Sequence, residues 1–340
     1  MMKKALLVLL GIVIVLGIWQ FDLIRYGWRQ ASGQLSIVYN SRPIEDYLND
    51  PAVSDSVKQK LKFVEEVRGF AVSHLGLSDT DNYTEMYDQH GQPVLWVVTG
   101  CEPYSFTPYL WKFPLLGEMP YKGFFKKEYA DHEFKIIKNK GLDAGMRTVG
   151  GWSTLGWFKD PILSEMLNRN YGDLANLIIH ELVHATIFVK DSVEFNENLA
   201  SFIAEKGTLI FLQQVYGDSS TVYKQYVEEL ADEKIFVNHI LRGYNALDSL
   251  YKNITDLPDD EKLSQKNLLV DKIMSELDTL ALSNQKYIEG VKGYQPNNTY
   301  FMSFQRYQSK QGTLESIYNN EFDQNLINFV LYIKEKHPSL

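Results

Sequence analysis

Cysteine is all but missing from this chain: among 340 residues there is one, Cys101. An internal disulfide framework is thereby excluded, and Cys101 reads as a small packed residue rather than a nucleophile. Basic charge is not in excess either. Lys and Arg number 34 against 43 Asp and Glu, for a net charge of −9 and an isoelectric point near 5.4. With no basic stripe, no nucleic-acid partner is expected. There is no internal repeat and no low-complexity tract, and the length suits one large domain or two smaller ones.

Long apolar runs are also few. The first follows Lys3 and Lys4, extends from Ala5 to Trp19 and continues to about Leu23, broken by Gln20 and Asp22. No small-x-small cleavage site follows it, and no cysteine is available for lipid attachment. The run is near the lower length limit for a membrane span. Its terminal position and lysine flank predict a signal-anchor over residues 1–25, tethering an exported domain, 26–340, to the cytoplasmic membrane. Arg25 and Arg29 oppose that orientation without reversing it. A cleaved signal peptide, leaving a secreted or periplasmic protein, is the alternative.

The second run, Leu174 to Val189, reads LANLIIHELVHATIFV, with no proline or glycine and apolar residues on every helical face. A helix that is apolar all round is a buried one, and imidazoles and a carboxylate there are costly unless something satisfies them. His180 and His184, four residues apart, project from one face and can share one divalent ion. Glu181 lies beside that face, placed to hold a water rather than the metal. This is the H-E-x-x-H pattern of zinc peptidases, and it predicts Zn2+ as the cofactor with Glu181 as the catalytic base.

Downstream, Phe195 to Phe202 reads FNENLASF, within a second helix from about Glu194 to Gly207 or beyond. Lys190, Asp191 and Ser192 between the two suit a tight turn. Folding the helices antiparallel about Asp191 sets His184 and Glu197 at similar distances from the turn, so Glu197 is read as the third ligand. Three protein ligands and a water mark a catalytic zinc site, whereas a structural site is closed by four. Glu194 and Asp191 are rivals for the position. Lys190 occupies the place of a third histidine, and Glu205 lies about 12 Å beyond Glu197 along the helix. The one downstream histidine that could close a structural site before the tail is His239, whose flanks read as an ordinary amphipathic helix.

Elsewhere, Ser54 is a predicted N-cap for a helix to about His74, ended by Gly76. Residues 93–100 and 142–152 are predicted strands, with 83–87 a weaker one. A helix is expected over 126–140, stopped by Gly141, and a long ordered loop between Glu102 and Pro120. After about Pro161 the chain reads as helical, with helices at 220–255 and 259–290 and one weak strand pattern near Thr299–Phe304. Strands first and helices after argue α+β, a small N-terminal sheet packed on the motif helix (the sheet-containing part about 26–190) and a mostly helical part about 191–340.

With these motifs in hand, the chain resembles a bacterial family of predicted aminopeptidases with a zincin-like fold, secreted or membrane-tethered and carrying H-E-x-x-H. The matching segments are Arg29-Gln30-Ala31 with Gly33-Gln34, Trp111 to Pro114 with Gly117, Tyr121 to Phe125, Ser153 to Phe158 with Asp160-Pro161, His180 to His184, and Phe195-Asn196-Glu197 with Ala200. Asn196-Glu197-x-x-Ala200 is also similar to the third-ligand helix of thermolysin-like peptidases. The resemblance implies His180, His184 and Glu197 as ligands, Glu181 as base, a peptide substrate and an aminopeptidase in the bacterial cell envelope. Many family members carry a lipid-attachment cysteine near the N-terminus, which this chain lacks.

For the substrate, Ser153, Thr154, Leu155, Gly156 and Trp157 are read as an edge that pairs with an extended peptide. Tyr104, Tyr109 and Tyr121 are candidate donors to the oxyanion, and Glu102 and Glu118 candidate carboxylates for a free α-amine. The competing function is a non-catalytic envelope protein that keeps the scaffold to bind a peptide or partner. The intact Glu181 argues against it, because a binding module has no use for a general base.

Overall fold

The computed structural model describes residues 21–113, 117–151, 159–190 and 192–337. Its first helix, α1 (Phe21–Asn40), leads into β1 (Arg42–Pro43), α2 (Ile44–Asn49) and α3 (Asp55–Leu75). The Ser54 hydroxyl accepts from the Val57 amide at 3.4 Å, and Gly76 ends α3 in the left-handed region (φ 72°). Both termini of α3 are thus where the cap residues predict them. Next come β2 (Glu85–Tyr87), β3 (Trp96–Cys101), β4 (Trp111–Phe113), β5 (Gly117–Met119), β6 (Lys122–Phe124), α4 (Lys127–Asn139), β7 (Asp143–Thr148) and β8 (Ile162–Leu163). A short 3-10 turn (Ser164–Asn168) precedes α5 (Tyr171–Thr186) and α6 (Val193–Tyr216). The chain continues through α7 (Thr221–Asn253), α8 (Asp259–Ser275), α9 (Lys286–Val291), α10 (Asn298–Gln308), α11 (Gln311–Glu321) and α12 (Leu326–Lys336).

The protein is a mixed α+β structure with small sheets and a helical C-terminal half. Three sheets are present among the described residues: β1-β2-β8, with β8 parallel to β2; the antiparallel β6-β3-β7; and the hairpin β4-β5. The expected packing of a sheet on the motif helix holds only in part. Helix α5 packs chiefly against α3 and α6. The sheet containing β2 and β8 joins that core through Met86, Ile162 and Leu163. The sheet centred on β3 instead covers α4, with Val98, Trp111, Phe124, Ala130 and Ile137 in a core of their own. A further core, including Phe236, Ile240, Ile273 and Phe301, joins α7, α8 and α10.

Three other expectations are corrected. The loop read between Glu102 and Pro120 contains the β4-β5 hairpin, joined by Trp111↔Met119 and Phe113↔Gly117. The two-residue strand β8 stands directly after Pro161, where helix was expected. Thr299–Phe304 lies within α10, not in a strand. Alternating apolar residues there are a helix's buried and half-buried positions, so a short window gives no period to read.

Most of the predicted signal-anchor, and Ser153, Thr154, Leu155, Gly156 and Trp157, lie outside the described residues. Among the described residues no helix is long and apolar enough to cross a membrane. Helix α1 does expose Phe21, Ile24, Trp28, Leu35 and Tyr39, spaced to share one stripe. From its other side Tyr26 and Gln30 donate to the Gly123 carbonyl at 3.0 and 3.1 Å.

Candidate active site

Helix α5 begins at Asn170, whose side-chain oxygen accepts from the Asp173 amide at 2.8 Å. Its apolar positions then bury nearly every face, including Leu174, Ala175, Ile178, Ile179, Leu182 and Val183. Close approach of the neighbours depends on two glycines. A Cβ on Gly172 would stand 2.5 Å from the Tyr226 ring of α7, and one on Gly207 of α6 would stand 2.7 Å from Leu75 of α3. The second contact brings α6 flat against both α3 and Ile179 of α5.

The turn between α5 and α6 is fixed by Asn196. Its amide group accepts from the Val189 N–H at 2.9 Å and donates to the Val189 carbonyl at 2.8 Å. Two residues on, Asn198 is wholly buried, donates to the Glu194 and Arg306 carbonyls, and accepts from the Lys310 amide. Glu197 sits between these two anchors, so its direction is set by the backbone on both sides. Asn196→Ala is expected to cost about 1–3 kcal/mol, because it strands the Val189 N–H and leaves the Val189 carbonyl with only the Ser192 amide at 3.3 Å. Urea unfolding of the two chains measures it.

The hairpin brings the three predicted ligands together. The Nε2 atoms of His180 and His184 are 3.1 Å apart, and each is 3.4 Å from Oε2 of Glu197. An ion bonded at about 2.0–2.1 Å to a tetrahedral donor set holds the donors about 3.3–3.4 Å from one another. The observed triangle is of that size. Two imidazoles and a carboxylate are also a donor set that zinc takes, so the residues present fit the ion. Among the described residues this is the group of three or more His, Cys, Asp or Glu side chains that converge closely enough to hold a metal.

Without an ion the same three groups act on each other's protons. Burial would push the His184 pKa down, but the Glu197 carboxylate, helped by Glu181, raises it above the ordinary histidine value. Burial likewise opposes the charge on Glu197, and hydrogen bonds from His180 and His184 overcome it, holding the carboxyl far below its usual range. Of the rivals, Glu194 pairs with Lys310 at 3.4 Å and takes a hydrogen bond from Ser309, and His239 is buried against the Ile273 carbonyl at 2.8 Å; Asp191 lies outside the described residues.

Glu181 is buried beside the triangle, and its carboxylate lies against Gly151, where any Cβ would collide with it. His180, Glu181, His184 and Glu197 all line one cavity of about 1290 Å³. Its walls include Tyr121, Arg147, Val149, Gly150, Gly151, Leu177 and Met302. Of the three tyrosines read as candidates, Tyr121 alone reaches it. Tyr104 donates to the Asp259 carbonyl and Tyr109 accepts from Lys140, both elsewhere. Glu118 lines the cavity but pairs with Lys112 at 3.0 Å, and Glu102 is exposed outside it.

Five charged lining residues escaped the sequence reading: Arg147, Arg169, Asp173, Glu233 and Arg306. Asp173 was within reach of it, standing seven residues before His180 and so on the same face of the helix. Arg169 faces Gly150, and burial lowers its pKa although Asp173 and Glu181 are close enough to oppose part of that effect. Glu233 comes from α7, whose crossing over α5 no local spacing reveals.

A search of curated proteins and of solved structures returns no match. A family model described as "Putative aminopeptidase" matches residues 25–336. That span takes in the whole of the cavity and both helices of the hairpin, and the chain belongs to this family.

Proposed function

We propose that the protein is a zinc-dependent peptidase of zincin-like fold, an exported aminopeptidase that cleaves peptide bonds in the cavity of the α5–α6 hairpin. The observation that carries this reading is the triangle of His180, His184 and Glu197, sized for one tetrahedral ion, with Glu181 buried beside it in the same cavity. His180, His184 and Glu197 would hold Zn2+, leaving the fourth position open. When bound, the ion supplies Lewis-acid chemistry, lowering the pKa of a water towards neutrality and polarising a carbonyl.

The chain's own groups do the rest. Glu181 takes the water's proton on its carboxylate and delivers it to the departing amine. Gly151 leaves room for that carboxylate and no more. Arg169 and Tyr121 are among the cavity-wall donors from which the carbonyl oxygen takes a hydrogen bond as charge develops on it. A peptide lies extended along residues 147–151, which continue the edge strand β7 towards Glu181. Membrane attachment rests on the N-terminal apolar run and the exposed apolar stripe of α1 that continues it.

The test is digestion of a peptide library by the purified chain. Cleavage is expected to cease when a chelator removes the metal and to return with added zinc. Cleavage that survives chelation would contradict the reading.

A further inference from the structure

The end of the cavity lined by Asp173 and Glu233 is rich in carboxylates, and all but one of them have partners. Asp173 accepts from Asn170 at 3.0 Å. Glu229 takes Asn170, Gln225 and Lys286. Asp232 accepts from the Ser283 and Asn284 amides, and Glu205 pairs with Lys234. Glu233 stands apart: it lines the catalytic cavity, and among the described residues no hydrogen bond or ion pair reaches its carboxylate.

A half-buried carboxylate with no cation paired to it is destabilising to the empty protein. Burial, then the charges of Glu205 and Asp173, raise its pKa despite Lys286 and Lys234 nearby. A ligand bringing a positive charge into the cavity would reverse that penalty and gain a charge-assisted hydrogen bond. A peptide offers such a charge at its N-terminus. The spacing suits it. Asp173, whose charge acts on Glu233, lies seven residues before His180 on one helix face, about 10 Å along the axis. Three extended residues span about the same length.

We propose that Glu233 binds the free α-ammonium of a peptide substrate, so that cleavage falls within the first three residues from the N-terminus. This rests on the peptidase reading of the same cavity. Leu177, Leu230 and Tyr226 wall the space between with apolar surface, which accommodates side chains with little selectivity by charge.

The test uses the full zinc-loaded chain, a fluorogenic heptapeptide and its N-acetylated twin. The wild-type chain is expected to favour the free N-terminus in kcat/KM, and Glu233→Gln to reduce that preference by about 10- to 100-fold, the worth of a hydrogen bond to a charged group. Isothermal calorimetry in the Glu181→Gln chain repeats the comparison without catalysis, with the free peptide losing its binding advantage once Glu233→Gln is added. Because Gln keeps the size and removes an unpaired charge, the melting temperature should not fall. A preference for free N-termini that persists in Glu233→Gln, or cuts spread through the interior of the peptide, would overturn the proposal and leave the peptidase reading standing. Binding that depends on Glu233, with no cleavage by the wild-type chain, would sustain the amine site and fail the peptidase reading.

Discussion

Glutamine in place of Glu181 is expected to lower kcat/KM by about 10²–10⁴-fold, the usual contribution of a positioned general base, with the bound metal unchanged. The side chain is buried against Gly151, so a substitution of equal volume leaves the packing in place. What is lost is the ability to take a proton and return it to the leaving amine. Metal retention follows from the geometry, because Glu181 is not part of the triangle formed by His180, His184 and Glu197. A steady-state assay run beside a metal determination separates the two effects. If the variant cuts peptides as fast as the parent, Glu181 is not the base.

Glutamine at Glu197 is expected to act by the other route, through the metal. On the proposed reading the carboxylate would provide one of three protein donors and the negative charge that two neutral imidazoles lack. Loss of a group that merely orients a ligand costs about 10–100-fold in metal affinity, so removal of a ligand should cost at least about 100-fold. Activity at limiting zinc falls in proportion and recovers, if at all, only with excess metal. In the chelated protein the same change withdraws the anion that raises the His184 pKa against its burial. Competition against a chromophoric zinc chelator gives the affinity. An unaltered affinity would remove Glu197 from the ligand set and reopen the site to Glu194 or Asp191.

Much of the candidate site was readable from local spacing, because helical periodicity is itself a spatial statement. His180 and His184 share a face by their four-residue separation, and a turn between two helices is enough to bring Glu197 to them. Helix ends marked by caps were equally legible: Ser54 and Gly76 bound α3 within a residue or two of their predicted roles. Short strands were not. β8 has two residues and β4 and β5 three each, too few for alternation to stand out, and their pairing is set by partners distant in sequence. Glu233 was hidden for a similar reason. It is one acidic residue on a long helix of mixed charge, and only the crossing of α7 over α5, through Tyr226 against Gly172, brings it to the cavity.

The most direct test of the metal centre is zinc K-edge X-ray absorption on the full chain loaded with one equivalent of zinc. The account predicts a four-coordinate shell of two imidazole nitrogens and oxygen donors at about 2.0–2.1 Å, without sulfur. That spectrum should lose its two-imidazole signature when His180 or His184 is replaced by alanine. A sulfur scatterer near 2.3 Å, the distance of a thiolate, or a spectrum indifferent to both replacements would contradict it.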